Sequence, residues 1–170
     1  MLSKKLSIIA PTYNEADNVL YFIERVKATL NAFDWEILFV DDNSSDGTAQ
    51  KIFENTVNDN RVRAIIRLED RSLARSSIQG MLSAKGDLLC VMDVDGQHDP
   101  AVLSDLVARL DRDNLDIVSA ARKLESADKL HALSPLRRKI SLFGNWFSSL
   151  ILDRKLSDPL TGFFLIRRNS

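Results

Sequence analysis

Short apolar runs alternate with longer amphipathic segments along most of the chain. Five of the apolar runs predict strands: 6–11, 36–40, 62–68, 87–93 and 115–120. Within each run the aliphatic residues largely follow one another instead of alternating with polar residues, so both faces of the strand are expected to be buried. Strands of this kind are typical of a parallel sheet that is covered by helices on its two sides.

Four amphipathic segments between these runs predict helices: 16–30, 45–57, roughly 73–84 and 100–110. In the first segment the apolar residues recur at helical spacing and share one face: Val19, Phe22, Ile23, Val26 and Leu30. Pro100 suits the first turn of the last segment, where no backbone N–H is needed. The alternation of strands and helices predicts an α/β fold with a doubly wound, mostly parallel sheet in a single domain.

Composition narrows the class of protein and its surroundings. The chain has 170 residues, 23 basic and 24 acidic side chains and a net charge of −1, so no excess of positive charge points to nucleic acid. Cys90 is the only cysteine and lies in an apolar run, which predicts a reduced core residue in a cytosolic setting. No stretch approaches the roughly 18 apolar residues of a membrane span. The chain is therefore expected to be soluble or peripheral to a membrane.

Polar residues concentrate where three of the predicted strands end. These segments read PTYNE at 11–15, VDDNSSDGT at 40–48 and MDVDGQHD at 92–99. In an open parallel sheet, ligands bind in the crevice outside the carboxyl ends of the strands. The acidic pair Asp41 and Asp42 has two interpretations: it belongs to the entry of the next helix, or it accepts hydrogen bonds from a nucleotide base or ribose.

Asp93 and Asp95 form a second acidic cluster, which favours a divalent metal. Two carboxylates one residue apart at the end of a buried strand repel each other unless a cation or hydrogen-bond donors compensate. Carboxylate, amide and water oxygens suit Mg2+ or Mn2+, which commonly bridge a protein carboxylate to the phosphates of a substrate. Gln97 offers an amide oxygen at the next alternate position. His98 is either a further ligand or a hydrogen-bonding neighbour.

The order of these motifs resembles one protein family. The segments SIIAPTYNEADNV, FVDDNSSDGT, RSLARSSIQGMLSAKGDLLCVMDVDGQHDP and SDPLTGFFLIRR follow one another as in the family-2 glycosyltransferases. Within that family the chain is most similar to dolichyl-phosphate mannosyltransferases and bacterial polyprenyl-phosphate sugar transferases. The resemblance covers nearly the whole chain and implies the nucleotide-diphospho-sugar transferase fold known as GT-A. It also implies that residues 1–170 are a catalytic domain truncated at its C-terminus, because the relatives continue beyond the TGFF strand.

The resemblance implies where the donor binds. The nucleotide base and ribose are expected at Pro11, Tyr13, Glu15, Val40 and Asp42. The diphosphate and a Mg2+ or Mn2+ ion are expected at Asp93, Asp95 and Gln97, and Asp95 also counts as catalytic. One position departs from the family pattern, since Ser72 stands where a glycine often precedes the helix entry.

Further residues are implied for the sugar and the acceptor. Arg122, Arg137 and Arg138 are expected to face phosphate or the donor sugar, for which a guanidinium is suited by its bidentate fork. Arg137 and Arg138 are equally explained as ordinary surface charge. Asp158 is expected as a catalytic carboxylate near the acceptor, or else it caps a helix or turn before a proline.

The implied reaction is an inverting sugar transfer from a GDP- or UDP-linked donor to a polyprenyl phosphate. The segment at 136–152 begins with basic residues and continues as an apolar, aromatic helix pattern. It predicts either a helix at a membrane surface that accepts a lipid tail or a helix packed on the sheet. A lipid phosphate is already anionic, whereas a sugar hydroxyl, the alternative acceptor, would need Asp158 as general base. The expected location is the cytoplasmic face of a membrane.

Three other classes of protein compete with this interpretation. A phosphorelay receiver domain also has an acidic pair in an α/β sheet, but here the pair follows the second strand and another acidic cluster follows the fourth. A sugar-phosphate nucleotidyltransferase would need a glycine-rich, lysine-bearing phosphate loop after the first strand, where this chain has PTYNE. A non-catalytic sugar-nucleotide-binding domain is the third class.

Overall fold

The computed structural model describes residues 4–120 and 162–168. Most of them belong to one compact unit, formed by Met1–Val118 together with Phe163–Ser170. The second unit, Ser119–Gly162, is described only at its two ends. The predicted helix at 136–152 lies outside the described residues.

The described residues form all nine strands and helices that the apolar pattern predicts, and a further strand after residue 162. The strands are β1 (Lys5–Thr12), β2 (Asp34–Asp41), β3 (Val62–Ile66), β4 (Leu88–Val91), β5 (Ile117–Ser119) and β6 (Phe164–Arg167). The helices are α1 (Val19–Thr29), α2 (Thr48–Asn58), α3 (Leu73–Ser83) and α4 (Val102–Arg112). The largest differences concern the starts of α1 and α2, which lie at Val19 and Thr48 instead of 16 and 45.

The strands form one sheet in the order β3-β2-β1-β4-β6-β5. β1 pairs in parallel with β2 on one side and with β4 on the other, and β3 is parallel to β2. β6 runs antiparallel to β4. The prediction of a doubly wound, mostly parallel sheet is therefore confirmed. The strand order reverses between β1 and β4, and such a reversal opens a crevice beyond the carboxyl ends of the strands.

Both faces of the sheet are buried, which explains the continuous apolar runs. Successive strand residues point to opposite faces. Phe39 packs edge-on against Phe22 of α1, with ring centroids 5.9 Å apart, whereas its neighbour Val40 lies in a core cluster with Ile9 and Leu38. The predicted inner face of α1 is confirmed. The five apolar residues that were assigned to that face are each 3% exposed or less: Val19, Phe22, Ile23, Val26 and Leu30.

Two small residues, Cys90 and Gly80, lie in the core. Cys90 is fully buried on β4, and burial raises the pKa of its thiol, so it is the unreactive core residue that the sequence predicts. Gly80 lets α3 approach the sheet closely, because a Cβ atom there would overlap Ile9 and lie 3.0 Å from Val40 Cγ2. This close packing positions the start of α3 beside the ends of β1 and β2.

A buried carboxylate links the strands near their amino-terminal ends, at the end of the sheet opposite the crevice. Glu36 on β2 is 2% exposed. It accepts hydrogen bonds from Ser7 Oγ (2.6 Å), the Lys85 backbone N–H (2.5 Å) and Arg63 Nη1 (2.9 Å). Burial alone raises the pKa of Glu36, but these donors together outweigh it and hold the pKa below its usual 4.5. The ionised carboxylate thus links β1, β2, β3 and the segment before β4.

We expect Glu36→Gln to lower the free energy of unfolding by about 1.5–3 kcal/mol at neutral pH, because it removes the charge that strengthens three hydrogen bonds. Since the folded-state pKa is depressed, the stabilisation is present above the unfolded-state pKa near 4.5 and is lost as the pH falls through the lower folded-state value. Urea unfolding at neutral pH and in acid should show a wild-type advantage that shrinks in acid. An advantage of equal size under both conditions would contradict this role.

Candidate active site

A cleft of about 340 Å³ lies at the carboxyl ends of β1, β2 and β4. Six of the residues expected at the donor site line it: Pro11, Tyr13, Glu15, Asp42, Asp93 and Asp95. Thr12, Val94 and three residues at the start of α3 complete the lining: Arg71, Ser72 and Leu73. The fold thus brings residues separated by as much as 84 positions, from Pro11 to Asp95, to one cavity at the point where the strand order reverses.

Reciprocal hydrogen bonds tie the loop after β1 to the loop after β2. Three consecutive backbone N–H groups of the first loop donate to side chains of the second: Asn14 to Ser44 Oγ (2.8 Å), Glu15 to Thr48 Oγ1 (2.9 Å) and Ala16 to Asp46 Oδ2 (3.0 Å). In return, the Ser45 backbone N–H donates to Asn14 Oδ1 at 3.2 Å. The polar residues of VDDNSSDGT therefore serve mainly to hold the wall of the cleft that carries Tyr13 and Glu15.

Asp41 and Asp42 are adjacent but have different surroundings. Asp41 is fully buried and does not line the cleft. Its carboxylate accepts hydrogen bonds from Thr12 Oγ1 (3.2 Å) and from the Ser44 backbone N–H (2.9 Å) and Oγ (2.5 Å). Asp41 therefore has a structural role, although its partners belong to β1 and the loop after β2 and not to the next helix. The ligand interpretation of the acidic pair is left to Asp42.

Asp42 lines the cleft and also forms a buried ion pair. Its carboxylate accepts hydrogen bonds from Arg67 Nη1, from Ser76 Oγ (2.7 Å) and from the Ser72 backbone N–H (2.8 Å). The side chains of Arg67 and Asp42 are only 2% and 4% exposed. A carboxylate has about four acceptor positions, so these donors leave roughly one for a ligand. Arg67 was not among the residues predicted from the sequence, although a cation directly after the apolar strand β3 was a signal.

The start of α3 accommodates serine at the position where the resemblance suggested glycine. Ser72 has φ of −162° and ψ of 115°, an extended conformation that any residue adopts. Its Oγ accepts the Arg75 backbone N–H at 3.4 Å, and its own N–H is held by Asp42. Ser72 is thus the N-cap of α3, and the departure from the family pattern leaves the turn intact.

Tyr13 and Arg71 bring an aromatic ring and a cation into the cleft. Tyr13 is 41% exposed, and the guanidinium carbon of Arg71 lies 4.2 Å from the centroid of its ring. This distance is within the range of a cation–π contact. Arg71 was not among the residues predicted from the sequence. Its position just before the helix start, beside other charged residues, resembled ordinary loop polarity.

Asp93 and Asp95 both line the cleft, as the sequence predicted. Asp95 is exposed and accepts the Gln97 backbone N–H at 3.0 Å, across Gly96, whose φ of 77° favours glycine. Among the residues that the structure describes, no group of three or more acidic, histidine or cysteine side chains forms a complete metal cage. Two carboxylates on one cavity fit Mg2+ or Mn2+, because these ions keep several ligands from water and substrate phosphates.

Two predicted residues do not reach the cleft. Val40 is fully buried in the cluster between the sheet and α3, because its position on β2 directs the side chain to that face. Gln97 lines a separate, adjoining cavity of about 160 Å³, which Tyr21, Arg25 and Pro100 also border.

Arg122, Arg137, Arg138 and Asp158 lie outside the described residues. No helix in the described part of the chain is long and apolar enough to cross a bilayer.

Comparison with known proteins identifies the family. The model described as "Glycosyl transferase family 2" matches residues 7–170. The chain is 32% identical over 166 residues to a dolichol-phosphate mannosyltransferase of Pyrococcus furiosus, covering 96% of this chain and 46% of that protein. It is 30% identical over 173 residues to the dolichol-phosphate mannosyltransferase of Saccharomyces cerevisiae, with coverages of 98% and 62%. A dodecaprenyl-phosphate galacturonate synthase of Rhizobium johnstonii is 32% identical over 159 residues, with coverages of 92% and 46%.

Two solved structures have the same fold. The mannosyl-3-phosphoglycerate synthase of Rubrobacter xylanophilus matches with a TM-score of 0.76 at 20% identity, over 99% of this chain and 55% of that one. A mannosyltransferase of Pyrobaculum calidifontis, solved in complex with GDP-Man and Mn2+, matches with a TM-score of 0.61 at 20% identity, over 72% and 37%. These similarities agree with the expected GT-A architecture.

The chain spans between 46% and 62% of the length of the curated relatives, so it corresponds to one part of each. Within that part the agreement is continuous, because the family model extends from β1 through both acidic clusters to β6. Relatives at 30% identity or more align with nearly all of the chain. On this evidence, the protein is a member of glycosyl transferase family 2.

Proposed function

We propose that this chain binds a nucleoside-diphosphate sugar in the cleft and transfers the sugar, with inversion, to the phosphate of a polyprenyl lipid. One observation carries the proposal: the acidic pair Asp93 and Asp95 lines the same cavity as Tyr13 and Glu15. A nucleoside diphosphate needs both kinds of group, since its base and ribose require aromatic and hydrogen-bonding partners and its diphosphate requires a cation.

A divalent metal is the cation that this donor set suits. Asp93 and Asp95 would hold Mn2+ or Mg2+, and the Pyrobaculum mannosyltransferase was solved with Mn2+ and a sugar nucleotide. Gln97 is the weaker third candidate, because its side chain lines the adjoining cavity. When bound, the metal would neutralise negative charge that develops on the departing nucleoside diphosphate. In this proposal the two carboxylates hold the metal in the cleft, and the other residues that line the cleft bind the nucleotide.

The nucleotide end of the cleft has four suitable groups. The ring of Tyr13 offers a flat apolar face, and the Arg71 guanidinium beside it can attract phosphate. Glu15 and Asp42 can accept hydrogen bonds from base N–H groups or ribose hydroxyls. Glu15 is oriented for this by Asn18, whose Nδ2 donates to its Oε2 at 2.6 Å. These groups suit a guanosine or a uridine donor equally.

The acceptor is proposed from the relatives, two of which are named for dolichol phosphate and one for dodecaprenyl phosphate. A phosphate oxygen is anionic, so it can attack the anomeric carbon without a general base. In this proposal Arg122, Arg137 and Arg138 bind the sugar or the phosphates, Asp158 orients the acceptor, and the 136–152 segment lies at the cytoplasmic face of a membrane. A sugar hydroxyl as acceptor would instead make Asp158 the base.

The test is a transfer assay with the full-length protein and radiolabelled GDP-mannose, UDP-glucose or UDP-galacturonate. Each donor is supplied with polyprenyl phosphate in liposomes, with 3-phosphoglycerate, or with no acceptor. We expect Mn2+-dependent transfer of label to the lipid, with the opposite anomeric configuration from the donor. Label in a water-soluble product would contradict the lipid acceptor, and donor binding without any transfer would favour a non-catalytic binding domain.

A further inference from the structure

His98 lies on the loop that carries the acidic pair and is 8% exposed. Its Nδ1 accepts a hydrogen bond from the Asp93 backbone N–H at 3.3 Å. Its ring packs on Phe163, with ring centroids 5.1 Å apart and an angle of 33° between the planes. Phe163 directly precedes β6, and the next residue, Phe164, pairs with Val91 at the end of β4. The histidine therefore connects the loop after β4 to the neighbouring strand.

The hydrogen bond to Asp93 assigns the proton on the ring. A backbone N–H only donates, so Nδ1 must be the acceptor and the proton of the neutral imidazole is on Nε2. Within the described part of the chain, Nε2 is buried and has no hydrogen-bond partner. Nε2 therefore does not present a lone pair to a metal in this tautomer. The sequence left two alternatives for His98, a metal ligand or a hydrogen-bonding neighbour, and this geometry favours the hydrogen-bonding neighbour.

An unpaired buried donor lowers stability, whereas an apolar ring of similar size would avoid that cost. Phenylalanine would also retain the contact with Phe163. A histidine that served packing alone would thus be poorly suited to this position. Of the two ring nitrogens that phenylalanine lacks, Nε2 is unpaired and Nδ1 accepts the Asp93 N–H, so the use of histidine here is explained by what it does to Asp93.

We propose that His98 is a positioning residue that fixes the backbone of Asp93, and with it the Asp93 carboxylate, in the cleft before any ligand binds. The acceptor Nδ1 holds the Asp93 amide, and the contact with Phe163 holds the imidazole beside the start of β6. A carboxylate oriented in advance loses less freedom on binding a metal and a diphosphate. The inference rests on the proposed function, since it concerns the residue assigned there to the metal.

Two variants separate the hydrogen bond from the ring. His98→Phe keeps an aromatic ring against Phe163 but removes the acceptor. His98→Asn removes the ring but retains an acceptor oxygen close to the position of Nδ1. Groups that orient metal ligands typically change affinity about 10–100-fold when they are replaced. We therefore expect His98→Phe to weaken Mn2+-dependent binding of GDP or UDP by about that factor, and His98→Asn to bind more tightly than His98→Phe.

The order of thermal stability is expected to be the reverse of the order of binding. In the absence of metal and nucleotide, His98→Phe should unfold at the same temperature as the wild type or higher, because the unpaired donor is gone. His98→Asn should unfold at a lower temperature, because it leaves a cavity beside Phe163. Calorimetric titration of GDP and UDP, with MnCl2 and with EDTA, gives the binding data. A purely structural histidine would make affinity and stability fall together, and that result would overturn the proposal.

A measurement on the wild-type protein keeps the test decisive if a variant does not fold. The 15N chemical shifts of the His98 ring report which nitrogen carries the proton, and hydrogen exchange reports protection of the Asp93 amide. We expect an unprotonated Nδ1 and a protected amide in the metal-free protein. A protonated Nδ1, or rapid exchange at Asp93, would overturn the inference. Wild-type protein that shows no Mn2+-dependent nucleotide binding would instead overturn the proposed function.

Discussion

Asp95→Asn is expected to remove nearly all of the Mn2+-dependent affinity for a nucleoside diphosphate while leaving the fold intact. Asparagine has the same shape and keeps one oxygen, but it lacks the charge that attracts a divalent cation. Metal contacts of this kind contribute several kcal/mol, so the loss should reach about a hundredfold or more. Because Asp95 is exposed, its replacement should change the unfolding temperature little. Calorimetric titration of GDP and UDP with MnCl2 or EDTA measures the effect.

Asp99→Asn is the matched control on the same loop. Asp99 is also exposed, and its carboxylate forms a surface ion pair with Arg25 at 2.6 Å. Pairs of this kind contribute about 0–1 kcal/mol to stability. Since Asp99 does not line the main cleft, its variant should bind nucleotide with wild-type affinity in the presence of manganese. Equal affinities for Asp95→Asn and wild type would remove Asp95 from the metal site.

Arg67→Met is expected to lower the free energy of unfolding by about 3–5 kcal/mol. The reason is that the Asp42 carboxylate, 4% exposed, would lose its charged partner and remain buried. The hydrogen bonds from Ser72 and Ser76 would persist but would not neutralise the charge. Urea unfolding at neutral pH measures the change. Since Asp42 also lines the cleft and accepts the N–H of the α3 N-cap Ser72, nucleotide affinity is expected to fall together with stability.

The double variant Asp42→Asn with Arg67→Met tests whether the charge is the cause. Removing both members of a buried ion pair is much less costly than removing one, so the double variant should recover a large part of the lost stability. Arg112→Met is the surface control, because Arg112 is 71% exposed and pairs only with the exposed Asp113 among the ion pairs of the described residues. It should change stability by about 1 kcal/mol at most. A double variant no more stable than Arg67→Met would contradict the ion-pair explanation.

The sequence predicted the elements well because burial on two faces leaves a direct signal in it. A strand covered by helices on both sides must be apolar at consecutive positions, and each such run became a strand of the sheet. The starts of α1 and α2 were predicted three residues too early. The polar residues there are used in hydrogen bonds between two loops, across 30 to 33 positions of the chain. A local pattern does not contain that information.

The general location of the site also followed from the sequence alone. Parallel strands place their carboxyl ends along one edge of the sheet, so polar residues that follow β1, β2 and β4 were expected to meet there. Tyr13, Glu15, Asp42, Asp93 and Asp95 do line one cleft. The residue types and the spacing of Asp93 and Asp95 also predicted a divalent metal there, and that stays a prediction.

Only the tertiary structure decided which of these side chains reach the cleft and which are held elsewhere. Asp41 and Asp42 are chemically identical, yet Asp41 is fully buried against Thr12 and Ser44, whereas Asp42 is shared between the cleft and Arg67. Val40 is directed toward α3, although two residues later the chain enters the site. The physical reason is that side chains alternate between the faces of a strand, while their partners come from neighbouring strands. Asp42 and Arg67 are 25 positions apart, and they meet because β2 and β3 pair in the register that places Asp41 opposite Ile66.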